Sequence, residues 1–264
     1  MLKKIPVALT IAGSDSGGGA GIQADLKTFA ALGVHGASVV ACLTAQNPAR
    51  VLAAQPCGAK MLRQQLEAVF EELPPSAIKT GMLLTSANIR MIRDFLTGKN
   101  VPLVVDPMIV STSGAPLLKP GALKALEKTL FPRATVITPN VPEAEILSGR
   151  AIASVQDMEA AARGIHSRFG CAVLLKGGHL RGSAAAVDIF FDGQRCLALN
   201  APFIKGVRTH GTGCVYSAAI CAALALGRDL PQAVRIGKKF VTQAIQSSYR
   251  IGKHFALGSR SWPM

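Results

Sequence analysis

The sequence predicts an α/β fold in which a mostly parallel β-sheet is covered by helices on both faces. Short apolar segments rich in Val, Ile and Leu alternate with amphipathic segments, a pattern typical of buried parallel strands joined by crossover helices. The 264 residues are 49% hydrophobic, so the chain can bury a large core, and this excludes disordered and collagen-like classes. Because no linker, repeat or low-complexity tract interrupts the pattern, we expect one domain spanning residues 1–264.

Six strands are predicted from apolar runs bounded by turn-forming residues. In chain order they are Val7–Ala12, Ala37–Leu43, Ala77–Thr80, Leu103–Asp106, Thr135–Thr138 and Ala172–Lys176. Helices are predicted between them from amphipathic spacing and glycine stop signals. They are Ile22–Leu32, Ala59–Leu73, Ser86–Leu96, Gly121–Leu130, Pro142–Leu147 and Asp157–Phe169.

The pattern changes after residue 178. Two apolar runs, Ala186–Phe191 and Arg195–Leu199, flank the dipeptide Asp192-Gly193, which is typical of a type I′ turn. We therefore expect an antiparallel hairpin at one edge of the sheet. Two long helices complete the prediction, at Gly213–Leu226 and Leu230–Ser248.

The net charge indicates an anionic partner. Lys and Arg number 29 against 15 Asp and Glu, a formal charge of +14, which favours nucleic acid, a membrane surface or a phosphate-bearing small molecule. Aromatic residues make up only 5% of the chain, which argues against nucleic acid. The most apolar stretch, 215–226, is shorter than the roughly 20 residues that span a bilayer. We therefore expect a small-molecule ligand, without nucleic acid or a membrane.

The six cysteines show no CxxC pair and no disulfide-framework spacing. They are typical of reduced thiols inside the cell. Pro6 breaks the N-terminal apolar run, and no cleavage-site pattern follows it. These observations predict a cytoplasmic protein.

A glycine-rich loop between the first strand and the first helix is the first indication of a binding site. Residues 13–21 contain five glycines, which allow backbone N–H groups to approach a ligand beside a helix N-terminus. The match of Gly19, Gly21 and Ala24 to a dinucleotide fingerprint is weak, because no acidic residue lies between Asp25 and Glu67. The loop is expected to bind a ligand of another kind.

A second motif, Thr209-His-Gly-Thr-Gly-Cys214, directly precedes a helix. The amides of Gly211, Thr212 and Gly213 are expected to form an anion-binding nest, and the helix dipole is expected to lower the pKa of Cys214. The alternative is a glycine-rich helix cap followed by a buried, inert cysteine.

Polar residues also follow three predicted strands, where open α/β sheets bind ligands. Asp106, Asn140 and Glu143 offer oxygens to Mg²⁺, directly or through water, and Lys176 offers a cation to phosphate. Each has a structural alternative, respectively a strand cap, a turn former, a first-turn acid and an edge lysine. Their coincidence with the anion nest favours a site.

Together these motifs resemble the hydroxymethylpyrimidine/phosphomethylpyrimidine kinases of thiamine biosynthesis. The resemblance covers nearly the whole chain, and its most specific parts are the 13–29 segment and the His210–Cys214 motif. It implies a ribokinase-like three-layer α/β/α sandwich with an antiparallel edge hairpin, usually a homodimer. It further implies phosphorylation of 4-amino-5-hydroxymethyl-2-methylpyrimidine, and then of its monophosphate, with ATP and Mg²⁺.

The resemblance also implies residue roles. Gln46 would bind the pyrimidine, and Cys214 would be the base for its hydroxymethyl group. The phosphoryl group would lie on Gly211, Thr212 and Gly213. The other implied substrate-binding residues are Gly13, Asp25, Met82, Val110 and His210. The implied nucleotide or phosphate ligands are Lys176, Thr112 and Arg208. Thr112 stands where many relatives carry Lys. The implied metal ligands are Asp106, Asn140 and Glu143.

Two alternative functions remain open from the sequence. A pyridoxal or pyridoxine kinase would use the same fold and a similar cysteine-containing nest. A non-catalytic basic protein that binds nucleic acid would account for the charge, although the sequence lacks the usual aromatic residues.

Overall fold

A computed structural model describes residues 4–110, 117–178, 180, 185–204, 206–207 and 210–258. Within these residues the main sheet contains β1 (Val7–Gly13), β2 (His35–Asn47), β3 (Arg50–Pro56), β4 (Ala77–Thr80), β5 (Leu103–Val105), β6 (Val136–Ile137), β7 (Ala172–Lys176), β8 (Ala185–Phe191) and β9 (Cys196–Pro202). The helices are α1 (Gly21–Ala31), α2 (Ala59–Glu72), α3 (Ser86–Leu96), α4 (Ala122–Thr129), α5 (Val141–Ser148), α6 (Val155–Phe169), α7 (Thr212–Ala225) and α8 (Leu230–Gln246), with a 3₁₀ turn at Phe131–Arg133. A small hairpin of β10 (Tyr249–Ile251) and β11 (His254–Ala256) follows α8.

The strands of the main sheet lie in the order β3-β2-β1-β4-β5-β6-β7-β8-β9. The six strands from β2 to β7 in this order are parallel to their neighbours, whereas β3 is antiparallel at one edge and β8 and β9 are antiparallel at the other. The mostly parallel sheet and its antiparallel edge hairpin confirm the predicted topology. The carboxyl ends of the parallel strands therefore meet at one edge of the sheet.

Helices cover the two faces of the sheet unequally. Alternate strand positions point to opposite faces, so Leu9 and Ile11 pack with buried residues of α2 to α6, while Ala8 packs with those of α1, α7 and α8. Both apolar clusters are almost fully buried. This arrangement is the predicted three-layer α/β/α sandwich.

The β2–β3 ribbon differs from the prediction. β2 continues four residues beyond the predicted end at Leu43, and β3 was not predicted. The first four positions of β3 are all exposed. Neither face of this edge strand is buried in the core, so no apolar-polar alternation marks it in the sequence. The extension places Gln46 beyond the end of the neighbouring strand β1, while it remains paired with Val51 of β3.

The predicted type I′ turn between β8 and β9 is wrong. That turn needs positive φ at both central residues, and among the described residues Leu84 and Met108 are the non-glycine positions with positive φ. Instead, the Asp192 side chain accepts hydrogen bonds from the amides of Gln194 and Arg195. A side-chain-stabilised turn therefore joins the two strands.

All six cysteines are free thiols, as predicted. No helix within the described ranges is long and apolar enough to cross a membrane. The apolar helix α7 is instead buried between α1, α8 and the sheet.

Candidate active site

The glycine-rich loop between β1 and α1 folds around the carboxylate of Asp15. The amides of Gly17, Gly19 and Ala20 donate to the two carboxylate oxygens over 2.8–3.1 Å. Burial opposes the charge of Asp15, but the hydrogen bonds from His210 and from the amides of Gly17 and Ala20 hold its pKa below the usual value. The expectation that the loop amides face a ligand is therefore wrong for these three, since their hydrogens already bind Asp15.

The same loop lies directly against the start of α7. Gly211 is the N-cap of α7 and has a φ of +86°, a region that favours glycine. A Cβ at Gly211 would also overlap the carbonyl oxygen of Gly19. The first intrahelical donor is the amide of Val215, which binds the Gly211 carbonyl, so the amides of residues 211–214 have no acceptor within the helix. This arrangement has the form of the predicted anion nest.

Gln46 reaches the same place from the end of β2. Its terminal amide nitrogen lies 2.8 Å from His210 Nε2, although the two residues are 164 positions apart. Ser16 and Ser14 from the glycine loop hydrogen-bond the backbone of residues 44 and 46. The predicted substrate residue, the glycine loop and the nest are thus in contact.

A small apolar cluster lies beside this contact, at the carboxyl ends of β1 and β4. It consists of Cys42, Met82 and Leu84, with Met108 packed against them. A Cβ at Gly13 would lie 2.7 Å from Cys42 Sγ and 3.7 Å from the Cβ of Met82. Leu84 and Met108 have φ values of 67° and 48°, and such strained backbone often occurs at ligand sites.

Two implied pocket residues are placed differently. Val110 packs against the core beneath α2 to α6 and is not part of the Met82 cluster. Asp25 is completely buried, with Thr10 donating to it over 2.6 Å and Lys79 over 2.7 Å. Its carboxylate therefore serves an internal ion pair and presents no exposed oxygen to a ligand.

Asp106 and Lys176 form an ion pair below the start of α7. Lys176 Nζ lies 3.0 Å from Asp106 Oδ1, and a Cβ at Gly213 would lie 3.3 Å from Lys176 Nζ. Burial opposes the charge of Lys176, but Asp106 and Glu143 raise its pKa on balance. The lysine is therefore a charged group next to the nest amides.

Asn140 and Glu143 form a capping box at the start of α5. The Asn140 side chain accepts from the Glu143 amide, while Glu143 accepts from the amides of Asn140 and Ile109. Burial raises the pKa of Glu143, and Asp106 adds to this effect. The structural alternatives foreseen for these two residues are thus present in the structure.

The described residues contain no group of three or more His, Cys, Asp or Glu placed to hold a metal ion. The implied set has only two carboxylates, Asp106 and Glu143, and one of them is paired with Lys176. Carboxylate oxygens have further lone pairs, and Mg²⁺ commonly keeps several waters and uses one or two carboxylates. The donor set therefore fits a magnesium ion held mainly through water.

The expected low pKa of Cys214 is wrong for this structure. Burial raises the pKa of its thiol to about 11, although Lys79 and the Gly21 amide act in the opposite direction. The helix dipole favours a thiolate, but only 5% of the residue is exposed, and desolvation disfavours the charged form more strongly. Cys214 nevertheless lies beside the nest, close enough to Asp106 for the charges of the two groups to interact.

Thr112 and Arg208 lie outside the described residues. Sequence reasoning assigned no role to Lys79 or to Ser217, whose hydroxyl lies 3.3 Å from Asp106 Oδ2. A lysine within the apolar strand 77–80 is a signal that could have indicated the first. Ser217 has no comparable signal in the sequence.

The model of the phosphomethylpyrimidine kinase family matches residues 15–258. The chain belongs to this family. The membership confirms the predicted resemblance and the predicted enzyme class, a phosphotransferase.

Similar proteins of known name agree with the family. A hydroxymethylpyrimidine/phosphomethylpyrimidine kinase from Rhizobium meliloti is 48% identical over 93% of this chain and 92% of its own length. A crystal structure of phosphomethylpyrimidine kinase from Clostridium difficile is 45% identical, covers 92% of this chain and 100% of its own, and has a TM-score of 0.81. An ADP complex of Bacillus subtilis pyridoxal kinase is 36% identical, covers 98% of each chain and has a TM-score of 0.89. The similarities confirm the predicted kinase fold.

Proposed function

We propose that this family member transfers the γ-phosphoryl group of ATP to 4-amino-5-hydroxymethyl-2-methylpyrimidine, and then to its monophosphate, in thiamine biosynthesis. The observation that carries the proposal is the contact of Gln46 with His210 at the start of α7. It brings a group that can recognise a heterocycle next to amides that can hold a phosphoryl group. Phosphoryl transfer depends mainly on such positioning and charge stabilisation.

The pyrimidine ring would bind between the terminal amide of Gln46 and the apolar cluster of Cys42, Met82 and Leu84. Gly13 is needed next to this cluster, because a Cβ there would lie only 2.7 Å from Cys42 Sγ. Replacing Gln46 with Ala should raise KM for the pyrimidine alcohol about tenfold, through the loss of a hydrogen bond, and leave KM for ATP unchanged. Equal increases in both constants would contradict the role of Gln46.

The transferred phosphoryl group would lie on the amides of Gly211, Thr212 and Gly213. Lys176, held by Asp106 at 3.0 Å, would neutralise the charge that develops on the phosphoryl oxygens. Asp106, with Asn140 and Glu143 through water, would hold Mg²⁺, whose chemistry is to neutralise nucleotide phosphate charge. Thr112 and Arg208 remain proposed phosphate ligands from the resemblance.

Cys214 would accept the proton of the hydroxymethyl group as a thiolate. The hydroxyl oxygen then forms a bond to the γ-phosphorus, the bond from that phosphorus to the bridging oxygen breaks, and ADP leaves. Because burial raises the pKa of Cys214 to about 11, few molecules carry the thiolate at neutral pH. The base role therefore predicts that turnover of the alcohol increases with pH.

The nucleotide base would bind in a cavity of about 550 Å³ between the segment after β9 and the β10–β11 hairpin. Its described lining residues are Phe203, Ile204, Gly206, Val207, Lys253, His254 and Phe255. The segment 203–207 ends four residues before Gly211, where the nest begins, so a base there would have its phosphates directed toward α7. Aromatic and basic groups suit a purine with an anionic chain.

We also propose that the chain acts as one domain and as a homodimer. Leu43, Leu52 and Met61 are large apolar side chains exposed around the β2–β3 ribbon. An exposed sheet edge with apolar side chains favours pairing with a second copy. Sedimentation equilibrium of wild type and Leu52→Asp tests this, since a dimer that uses this surface should dissociate in the variant.

Pyridoxal kinase activity is the second candidate, because a Bacillus subtilis protein of that name has nearly the same fold. A coupled assay of ADP release, with the pyrimidine alcohol and pyridoxal offered separately at matched concentrations, distinguishes the two. We expect a higher kcat/KM for the pyrimidine alcohol, followed by diphosphate formation detected by mass spectrometry. A preference for pyridoxal, without diphosphate, would overturn the proposal.

A further inference from the structure

Three side chains connect the glycine-rich loop with the residue proposed to recognise the substrate. His210 Nε2 lies 3.2 Å from Asp15 Oδ2 and 2.8 Å from the terminal amide of Gln46. The other side of that amide lies 3.3 Å from Thr44 Oγ1. Each of these contacts needs one donor and one acceptor.

Asp15 determines where His210 carries its proton. Both carboxylate oxygens of Asp15 accept from backbone amides, which favours the ionised form, and an ionised carboxylate can only accept hydrogen bonds. His210 Nε2 must therefore carry a hydrogen to bind it. An Nε2–H group cannot accept from Gln46, so the amide atom that faces it at 2.8 Å has to be the acceptor, Oε1. The single Nε2 hydrogen is then shared between Oε1 and the more distant Asp15 Oδ2 at 3.2 Å.

Thr44 leads to the same orientation by an independent argument. Its Oγ1 lies 2.7 Å from the carbonyl oxygen of Ser14, which is solely an acceptor, so the single hydroxyl hydrogen is used there. The amide atom of Gln46 that faces Thr44 must then be the donor, Nε2. A rotation of the terminal amide by 180°, from the arrangement with Nε2 toward His210, exchanges Nε2 and Oε1 with little displacement of the atoms. The rotated amide presents a donor to Thr44 and an acceptor to His210.

We infer that Asp15, acting through His210, holds the Gln46 amide with Oε1 toward His210 and Nε2 toward Thr44, and thereby determines which groups Gln46 presents to the substrate. His210 and Asp15 are positioning residues in this scheme. Asp15 is 1% exposed and is fixed by three loop amides, so the orientation is built into the glycine-rich loop.

The fixed amide matches one edge of a heterocycle. One N–H of Nε2 and one lone pair of Oε1 remain for a ligand. A ring nitrogen can accept that N–H while an exocyclic amino group next to it donates to that oxygen. A pyridine alcohol without such an amino group can make only one of the two bonds. The selectivity part of this inference rests on the proposed function, but the position of the proton does not.

The position of the proton is tested by long-range ¹⁵N–¹H NMR of the histidine side chains in labelled wild-type protein at pH 8, with the His210 signals assigned by their loss in His210→Phe. We expect a protonated Nε2 on His210. An unprotonated Nε2 with the hydrogen on Nδ1 would overturn the inference, whatever substrate the enzyme uses.

The effect on selectivity is tested by a double-mutant cycle of His210→Phe and Gln46→Ala. In the single variant His210→Phe, the ratio of kcat/KM for the pyrimidine alcohol over pyridoxal should fall about tenfold, with KM for ATP unchanged. In the Gln46→Ala background the same change should alter the ratio less than twofold. An equal fall in both backgrounds would refute action through Gln46. If wild type phosphorylates neither alcohol, the proposed function fails while the NMR result still stands.

Discussion

Lys79 Nζ lies 2.7 Å from both carboxylate oxygens of Asp25, and neither side chain is exposed to solvent. Asp25 belongs to α1 and Lys79 to β4, and both elements contact α7. Thr10 donates a further hydrogen bond to Asp25. Burial opposes the charge of Lys79, but Asp25, Cys214 and Asp106 raise its pKa on balance. A buried ion pair therefore supports the region that carries the proposed base.

Replacing Lys79 with Met should destabilise the protein by about 3–5 kcal/mol, because it leaves the buried charge of Asp25 without its partner. Urea unfolding at pH 7.5 measures this, with the exposed residue Lys60 replaced by Met as the matched control. We expect the control to change the free energy of unfolding by less than about 0.5 kcal/mol. A Lys79→Met protein as stable as the control would mean that the pair does not stabilise the fold.

Replacing Gly211 with Ala should disrupt the contact of α7 with the glycine-rich loop. The added Cβ would overlap the Gly19 carbonyl at a φ of +86°, so we expect a lower melting temperature and a loss of phosphoryl transfer. Gly164, in the middle of α6, is the matched control, since a Cβ there meets nothing within 4 Å. Its replacement by Ala should stabilise the protein by roughly 0.5–1 kcal/mol. The same response from both variants would contradict the geometry at Gly211.

Much of the fold could be predicted because buried strands and amphipathic helices leave periodic signals. β7 was predicted with the bounds that the structure shows, Ala172–Lys176. β3 and the β10–β11 hairpin were missed, since each is too exposed to show an apolar pattern. The turn at Asp192 depends on a side chain that the usual two-residue rule does not consider.

The sequence predicted which residues form the site better than it predicted their contacts and pKa values. The nest, Gln46 and Lys176 meet because parallel strands end at one edge of the sheet. The contact of Gln46 with His210 joins residues 164 positions apart, and no local spacing indicates it. The raised pKa of Cys214 depends on burial by α1, which a helix-dipole argument omits.

Buried thiols should make the protein less stable in alkali. Burial raises the pKa of Cys42 and Cys214 to about 11 and that of Cys171 to about 12, from 9.0. Because the unfolded thiols ionise first as the pH increases, the stabilisation from neutral thiols is complete below pH 9 and is lost between about pH 9 and 12.

Urea unfolding between pH 7.5 and 11 measures this loss, which amounts to about 2–3 kcal/mol for a thiol whose pKa is shifted by two units. Cys171→Ala should show a shallower decline than wild type over the upper part of that range. A free energy of unfolding that stays constant from pH 8 to 11 would contradict the burial of these thiols.

Replacing Lys176 with Met should reduce kcat by about 10²–10³-fold for both phosphorylations, because each develops charge on the same transferred group. The exposed Lys124 of α4, replaced by Met, is the control for a lost lysine. Steady-state kinetics with saturating pyrimidine alcohol or its monophosphate provide the measurement. A loss confined to one of the two substrates would show that Lys176 binds that substrate and not the transferred phosphoryl group.

The most direct test of the proposed chemistry compares the two phosphorylations in Cys214→Ala. The alcohol must lose a proton, whereas the monophosphate, with a second pKa near 6, offers an ionised oxygen and needs no base at pH 8. The account predicts that kcat falls about 10²–10⁴-fold for the alcohol and less than tenfold for the monophosphate. Equal losses on the two substrates, or an unchanged rate on the alcohol, would contradict the assignment of Cys214 as the base.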